Sequence, residues 1–226
     1  MANTKISKHY AGNAGEEYSR RIQSDSNLHG YAINARYFVP YLKPTDRILD
    51  FGCGNGGMLS LLKKEVACAE GLEVNPASAA LARAHGLTVY GGVDELPQGP
   101  TYNVIVTNHV LEHIRDVCGT LEALRSRIVP GGLLVAKLPI DHISDAHQRG
   151  WSEDDIDHHL QTWTPRLFAN VLFESGFVVK ECRILTAAWH PKLFPLEKLG
   201  LGSLAYWLLA QFKHRHQVFA VAKLKP

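Results

Sequence analysis

No long hydrophobic run crosses this chain. The stretch Leu199 to Phe212 carries fourteen residues without an acidic or basic side chain, too few for a helix that spans a bilayer. Cysteine is scarce as well: Cys53, Cys68, Cys118 and Cys182 stand far apart, without the close pairs of zinc sites or the dense spacing of disulfide frameworks. Charge of one sign is missing, since 24 Lys and Arg face 22 Asp and Glu. With a formal net charge of +2 and no block of five like charges, no nucleic-acid surface is expected. The opening Met-Ala-Asn-Thr-Lys lacks the apolar core of a secretory signal. Together these absences predict a cytoplasmic protein with reduced thiols. Membrane contact is not expected, and Leu199 to Phe212 is read as a buried helix. Its flanks, Lys198 and Lys213-His214-Arg215-His216, leave a helix lying in a membrane interface as the alternative.

What is present is a globular composition, 46% apolar and 20% charged over 226 residues, which excludes disorder and suits one large domain. Its most informative stretch is Ile48-Leu49-Asp50-Phe51-Gly52-Cys53-Gly54-Asn55-Gly56-Gly57. An apolar strand closes on an aspartate, four glycines crowd into six residues, and a helical run follows from Met58 to Lys64. An ordinary turn needs one glycine or two; this many lets the backbone approach a bound molecule where a Cβ would collide. Helix-period and strand-like segments then alternate, the pattern of a parallel sheet covered on both faces. Strands are predicted at 46–50, Ala67 to Glu73, Leu87 to Tyr90, Tyr102 to Thr107 and Leu133 to Leu138. Asn75 and Pro76 should open one helix, and a second should run from Asp116 to Ile128 and stop at Pro130-Gly131-Gly132. Thr164-Pro165 opens a third, and Phe177 to Leu185 should pair with Gln217 to Leu224. Residues 140–162, rich in His, Asp and Trp, are too long for a routine connection and should face a ligand.

The glycine loop, Gly71-Leu72-Glu73-Val74-Asn75-Pro76, Asn108-His109-Val110-Leu111-Glu112-His113-Ile114 and Leu124 through Gly132 together resemble a class I S-adenosylmethionine-dependent methyltransferase. The resemblance covers about Arg47 to Leu138, and it is the order and spacing of the motifs that carry it. It implies a doubly wound α/β, Rossmann-like fold with a mostly parallel seven-stranded sheet, order 3-2-1-4-5-7-6, the last strand antiparallel. It also implies one domain over residues 1–226, with 1–45 as a helical lid and 140–162 and 186–216 as insertions over the acceptor site. The cofactor would be S-adenosyl-L-methionine, leaving as S-adenosyl-L-homocysteine. Gly52, Cys53 and Gly54 would lie against its methionine end, Asp50 near its ammonium, and Glu73 with Val74 at its ribose. Gly92 and Val93 would meet the adenine, although the acidic residue common after that glycine is replaced here by Val93. Asn108 and His109 would border the sulfonium.

Methyl transfer to an oxygen or nitrogen is an in-line displacement that needs alignment, a dry pocket and, for a hydroxyl acceptor, a base. His142, His158 and His109 are the catalytic candidates, with His147 and His159 beside them. Asp141, His142, His147, Asp157, His158 and His159 were also weighed as metal ligands, but their spacing matches no compact motif and no metal is expected. Tyr10, Tyr18, Tyr31 and Tyr37, interleaved with Arg20, Arg21 and Arg36, are expected to roof the cofactor. The acceptor is expected to be a small molecule, such as a sugar, a glycolipid intermediate or a natural product. Two rivals remain. Gly52, Gly54 and Gly57 also spell a dinucleotide fingerprint, as in an NAD-dependent oxidoreductase or epimerase, though no Tyr-x-x-x-Lys pair is recognisable. A cofactor-binding module without catalysis is the other.

Overall fold

The computed structural model describes residues 15, 17, 25–141, 150, 155, 158–186, 188 and 190–224, with backbone alone at 25–28 and 191. His142, His147, Trp151 and Asp157, and in the expected lid Tyr10, Tyr18, Arg20 and Arg21, lie outside the described residues. Seven strands, β1 (Arg47–Phe51), β2 (Cys68–Leu72), β3 (Thr88–Tyr90), β4 (Tyr102–Asn108), β5 (Ile128–Ile140), β6 (Phe177–Thr186) and β7 (His216–Leu224), form one sheet. Their order is β3-β2-β1-β4-β5-β7-β6. The first five run parallel, and β7 lies antiparallel to both β5 and β6. This is the order and polarity expected above.

The sheet divides two cores, and the pleat assigns neighbouring residues to opposite ones. Leu49, Phe51 and Ile105 join Leu121, Leu124 and Phe168 on one face. Ile48, Val104 and Val106 join Phe38, Leu59 and Leu62 on the other. A strand buried on both faces reads as an unbroken apolar run, which is why Ile48-Leu49 and Val104-Ile105-Val106 show no alternation. The helices that cover it begin at identifiable caps. In α3 (Pro76–Ala84) the Asn75 side chain accepts from the Ser78 N–H at 3.0 Å with Pro76 in the first turn. In α4 (Val117–Arg125) Asp116 accepts from Gly119 N–H at 2.9 Å. In α5 (Pro165–Glu174) Thr164 accepts from Leu167 N–H at 3.2 Å. Each cap satisfies one amide that the first turn leaves open.

Two expectations are corrected. The helix over 116–128 stops at Arg125, and Pro130-Gly131-Gly132, read as the break before the fifth strand, lies within β5, where the pairing with β4 shifts register between Tyr102 and Val104. The segment from Leu199 to Phe212 is not a buried helix. It follows the short helix α6 (Phe194–Lys198) and folds as α7 (Gly202–Phe212), which packs through Gly202, Tyr206 and Ala210. That four-residue spacing turns the small residues inward and leaves Leu204, Trp207, Leu208 and Phe212 exposed. Among the described residues no helix is long and apolar enough to cross a membrane.

Candidate cofactor cleft and acceptor end

At the carboxyl ends of β1, β2, β4 and β5 a cleft of about 390 Å³ opens, the place where a sheet of this winding takes its ligands. Asp50, Gly52, Cys53, Gly54, Glu73, Val74, Asn108 and His109 all line it. Gly92 and Val93 do not, and Val93 packs against the core instead. The His158 side chain is half-buried and is also absent from the lining; its carbonyl oxygen lies 3.5 Å from His113 Nδ1.

The glycine loop turns sharply because its backbone must. Gly52 has φ of +82°, and a Cβ there would overlap Val110. Gly54, at φ +55°, has open space where a Cβ would stand, and its N–H is turned to Glu73 Oε2 at 2.9 Å. The Gly52 and Cys53 N–H groups both donate to the Leu72 carbonyl at 2.8 and 3.0 Å, binding the loop to the end of β2. From the other side comes α1 (Asp25–Phe38). Tyr31 stacks over Gly57, where a Cβ would collide with its ring, and its hydroxyl donates to Asn55 Oδ1 at 3.0 Å. The same oxygen accepts from Gly57 N–H at 3.1 Å.

Two carboxylates dominate the cofactor end. Asp50 is 1% exposed, neither of its oxygens has a hydrogen-bond partner, and burial, helped by Glu73, pushes its pKa up to about 7. A charge so placed is expensive unless a cation answers it. Glu73 is satisfied: its oxygens accept from Gly54 N–H at 2.9 Å and Asn75 N–H at 2.7 Å. Burial raises its pKa while those amide donors oppose the rise. Two acceptor oxygens held by rigid amides keep lone pairs for a diol.

The opposite end joins Asn108 and His109, expected from the sequence, to groups that the sequence did not single out. Lys137 is 2% exposed, donates to Asn34 Oδ1 at 2.6 Å and Asn108 Oδ1 at 3.2 Å, and burial pushes its pKa down to about 7. Its signal was a lone charge inside the apolar run Leu133 to Leu138. His109 adopts a φ of +56°; its N–H donates to the Lys137 carbonyl at 2.9 Å and its Nε2 lies 3.3 Å from Gln217 Oε1. Burial and then the Lys137 charge push its pKa down to about 3, an effect tempered by water because 37% of the side chain is open to the cleft. Asn34 and Gln217, brought in from distant segments, left no local trace in the sequence.

The sheet order, the glycine loop at the end of β1 and the acidic tip of β2 define a Rossmann-like methyltransferase. Asp50 tests the cofactor on this chain's own residues, because an orphaned buried carboxylate fits the ammonium of an amino acid and a pyrophosphate would be repelled there. The chain belongs to the family described as methyltransferase domain, whose model matches residues 25–181. It is 29% identical over 160 residues to the ubiquinone biosynthesis O-methyltransferase of a Methylobacterium species, covering 64% of each chain. To the protein of that name from Cereibacter sphaeroides it is 33% identical over 97 residues, 39% of each. The matches thus span about two fifths to under two thirds of those relatives. Among solved structures, a Haloferax volcanii complex of the Trm112 methyltransferase activator with a methyltransferase gives a TM-score of 0.67 at 17% identity, over 96% of this chain and 98% of that one. Phosphoethanolamine N-methyltransferase 2 of Haemonchus contortus with S-adenosyl-L-methionine gives 0.64 at 14%, over 95% and 60%.

Proposed function

We propose that this protein transfers the methyl group to a hydroxyl oxygen of a small organic acceptor. The observation that carries the reading is the polarity of the cleft, the carboxylates Asp50 and Glu73 at one end and imidazoles, His109 and His113, at the other. The relatives named above as O-methyltransferases point the same way. Asp50 would hold the ammonium, Gly52, Cys53 and Gly54 the amino-acid backbone, Glu73 and Val74 the ribose, and Asn108 and His109 the reacting end. Gly92 and Val93, outside the lining, are the weakest part of that set. The bound cofactor supplies an electrophilic methyl on a sulfonium. The chain's task is to orient the acceptor, exclude water and take up a proton.

His109 is neutral across physiological pH, so it presents a lone pair rather than repelling a sulfonium. Lys137 and Gln217 fix its ring and backbone. His142 stays a candidate base from the sequence. His158 contributes through its carbonyl, which braces His113. Residues 1–45, of which 25–45 are described, would form the lid, with Tyr31 as its contact on the glycine loop, and 140–162 and 186–216 would be insertions over the acceptor site.

The test is binding followed by turnover. S-adenosylhomocysteine should bind in calorimetry where NAD does not, and labelled S-adenosylmethionine should label members of a panel of phenols, catechols and sugars. Labelling confined to amines would refute oxygen as the acceptor atom, and NAD binding alone would refute the cleft assignment.

A further inference from the structure

Behind the imidazole end of the cleft lies a second cluster that cofactor binding leaves unexplained. Glu112 is 0% exposed, and among the described residues no group other than its own backbone N–H serves its carboxylate as a hydrogen-bond partner. Two imidazole nitrogens approach it without closing to hydrogen-bond distance: His113 Nε2 at 3.7 Å and His109 Nδ1 at 3.8 Å from Oε1. A third ring, His159, stands 5.1 Å from that of His113, centroid to centroid. One ligand atom from each of Glu112, His113 and His159 lies within 4.8 Å of the other two.

These separations decide between two accounts. A carboxylate and an imidazole that satisfy each other meet at about 2.8 Å. Donors that share a metal, each roughly 2.0–2.2 Å from it, stand apart by about 3 to 4 Å. The Glu112–His113 gap of 3.7 Å is of the second kind, and His159 offers its ligand atom within 4.8 Å of both.

The outer nitrogens support this. His159 Nδ1 lies 2.9 Å from Asp141 Oδ1, and His113 Nδ1 faces the His158 carbonyl at 3.5 Å. A proton fixed on Nδ1 leaves the lone pair on Nε2, the usual way a carboxylate or carbonyl sets a ligating histidine. Asp141 and His159 stand among the metal candidates of the sequence, but their partners are not legible from spacing, because Glu112 and His113 sit after β4 while His159 lies near the far end of the 140–162 insertion.

We propose that Glu112, His113 and His159 bind one divalent first-row transition ion beside the cleft that His113 lines, with Asp141 orienting His159. Two imidazoles and one carboxylate suit zinc, manganese or iron and leave places open for substrate. The site deepens the O-methylation reading and rests on it for its purpose. An acceptor hydroxyl coordinated there loses its proton more readily. Its oxygen then forms the new bond to the methyl carbon while the carbon–sulfur bond breaks, its electron pair passing to sulfur, and the proton leaves to solvent.

The experiment starts from full-length protein stripped with a chelator. Manganese(II) is titrated by electron paramagnetic resonance and zinc(II) against a chromophoric chelator, each compared with Glu112→Gln and His159→Ala. One equivalent should bind the wild type. Both variants should bind at least about tenfold more weakly, and Asp141→Asn should fall about 10–100-fold. Glu112→Gln removes a buried charge and keeps its shape, so its S-adenosylhomocysteine affinity, measured in parallel, should stay at the wild-type value and report an intact fold. Absence of stoichiometric metal in the wild type, or equal affinity in the folded variants, overturns the site. Loss of S-adenosylhomocysteine binding in wild-type protein would instead overturn the cofactor reading and leave the metal measurement to stand alone.

Discussion

Asp50 is held in a place that only a ligand justifies. Its carboxylate is buried without a hydrogen-bond donor, and a group in that state destabilises the empty protein while it waits for a cation. Two effects of opposite sign follow for Asp50→Asn. The apo protein should melt no lower than wild type, and higher at about pH 8 where the aspartate is ionised, whereas S-adenosylhomocysteine affinity should drop at least about tenfold. A variant that loses stability and keeps its affinity would assign Asp50 to the core. Gly52 gives a second prediction, since a methyl there meets Val110 at a φ of +82°. Gly52→Ala should cost about 2 kcal/mol or more in denaturant melts. Adding Val110→Ala should recover only part, because the backbone strain stays. Asp50 and the glycines were visible in the sequence, as was Glu73, because a ligand loop must keep its residues contiguous. The motif after β4 marks Glu112 only as a support for its loop and nothing local marks Lys137, because the meaning of both is burial, a property that appears only once β4, β5 and the segment after β4 are assembled.

At the level of elements, contacts across the cleft decide what each piece does. The tip of the glycine loop is clasped by α1 through Tyr31, whose hydroxyl shares Asn55 Oδ1 with Gly57 N–H. Tyr31→Phe removes one donor and keeps the ring over Gly57. It should therefore cost about 0.5–1.5 kcal/mol in stability and weaken S-adenosylhomocysteine modestly, whereas Tyr31→Ala should uncover the loop and weaken it far more. Equal affinities for the two variants would deny α1 a role in closing the cleft. The strands and the caps of α3, α4 and α5 were readable because Asn75-Pro76, Asp116 and Thr164-Pro165 are local chemistry. The orientation of α7 was not. Its uncharged sequence suggested burial, but the face that packs is chosen by Gly202, Tyr206 and Ala210. Glutamine at exposed Leu204 or Leu208 should change the melting free energy by less than about 0.5 kcal/mol, while Ala210→Leu, at a position 0% exposed, should cost about 1–3 kcal/mol by overpacking.

Across the whole molecule, the two ends of the sheet are given different work. At the amino ends of the strands Glu70 is saturated, accepting from Arg47 at 3.0 Å, Tyr102 at 2.9 Å and Tyr90 at 3.2 Å, and this end supplies stability. At the carboxyl ends Asp50 is unsatisfied and supplies binding. The contrast has a pH signature. Asp50's pKa is raised from 3.8 to about 7 in the folded protein, so its contribution to stability is complete below about pH 4 and is lost as pH rises through about 7. An ammonium ligand selects the ionised form and pulls the pKa back down. S-adenosylhomocysteine affinity should therefore rise from about pH 5 to 7, with up to one proton released per ligand at about pH 6. Calorimetry in buffers of different ionisation enthalpy reads that proton directly, and Asp50→Asn should abolish the release while other titrating groups remain. Binding that is proton-neutral at about pH 6 in the wild type, with an affinity flat across the range, would show that no cation meets Asp50 and that the ammonium lies elsewhere in the cleft.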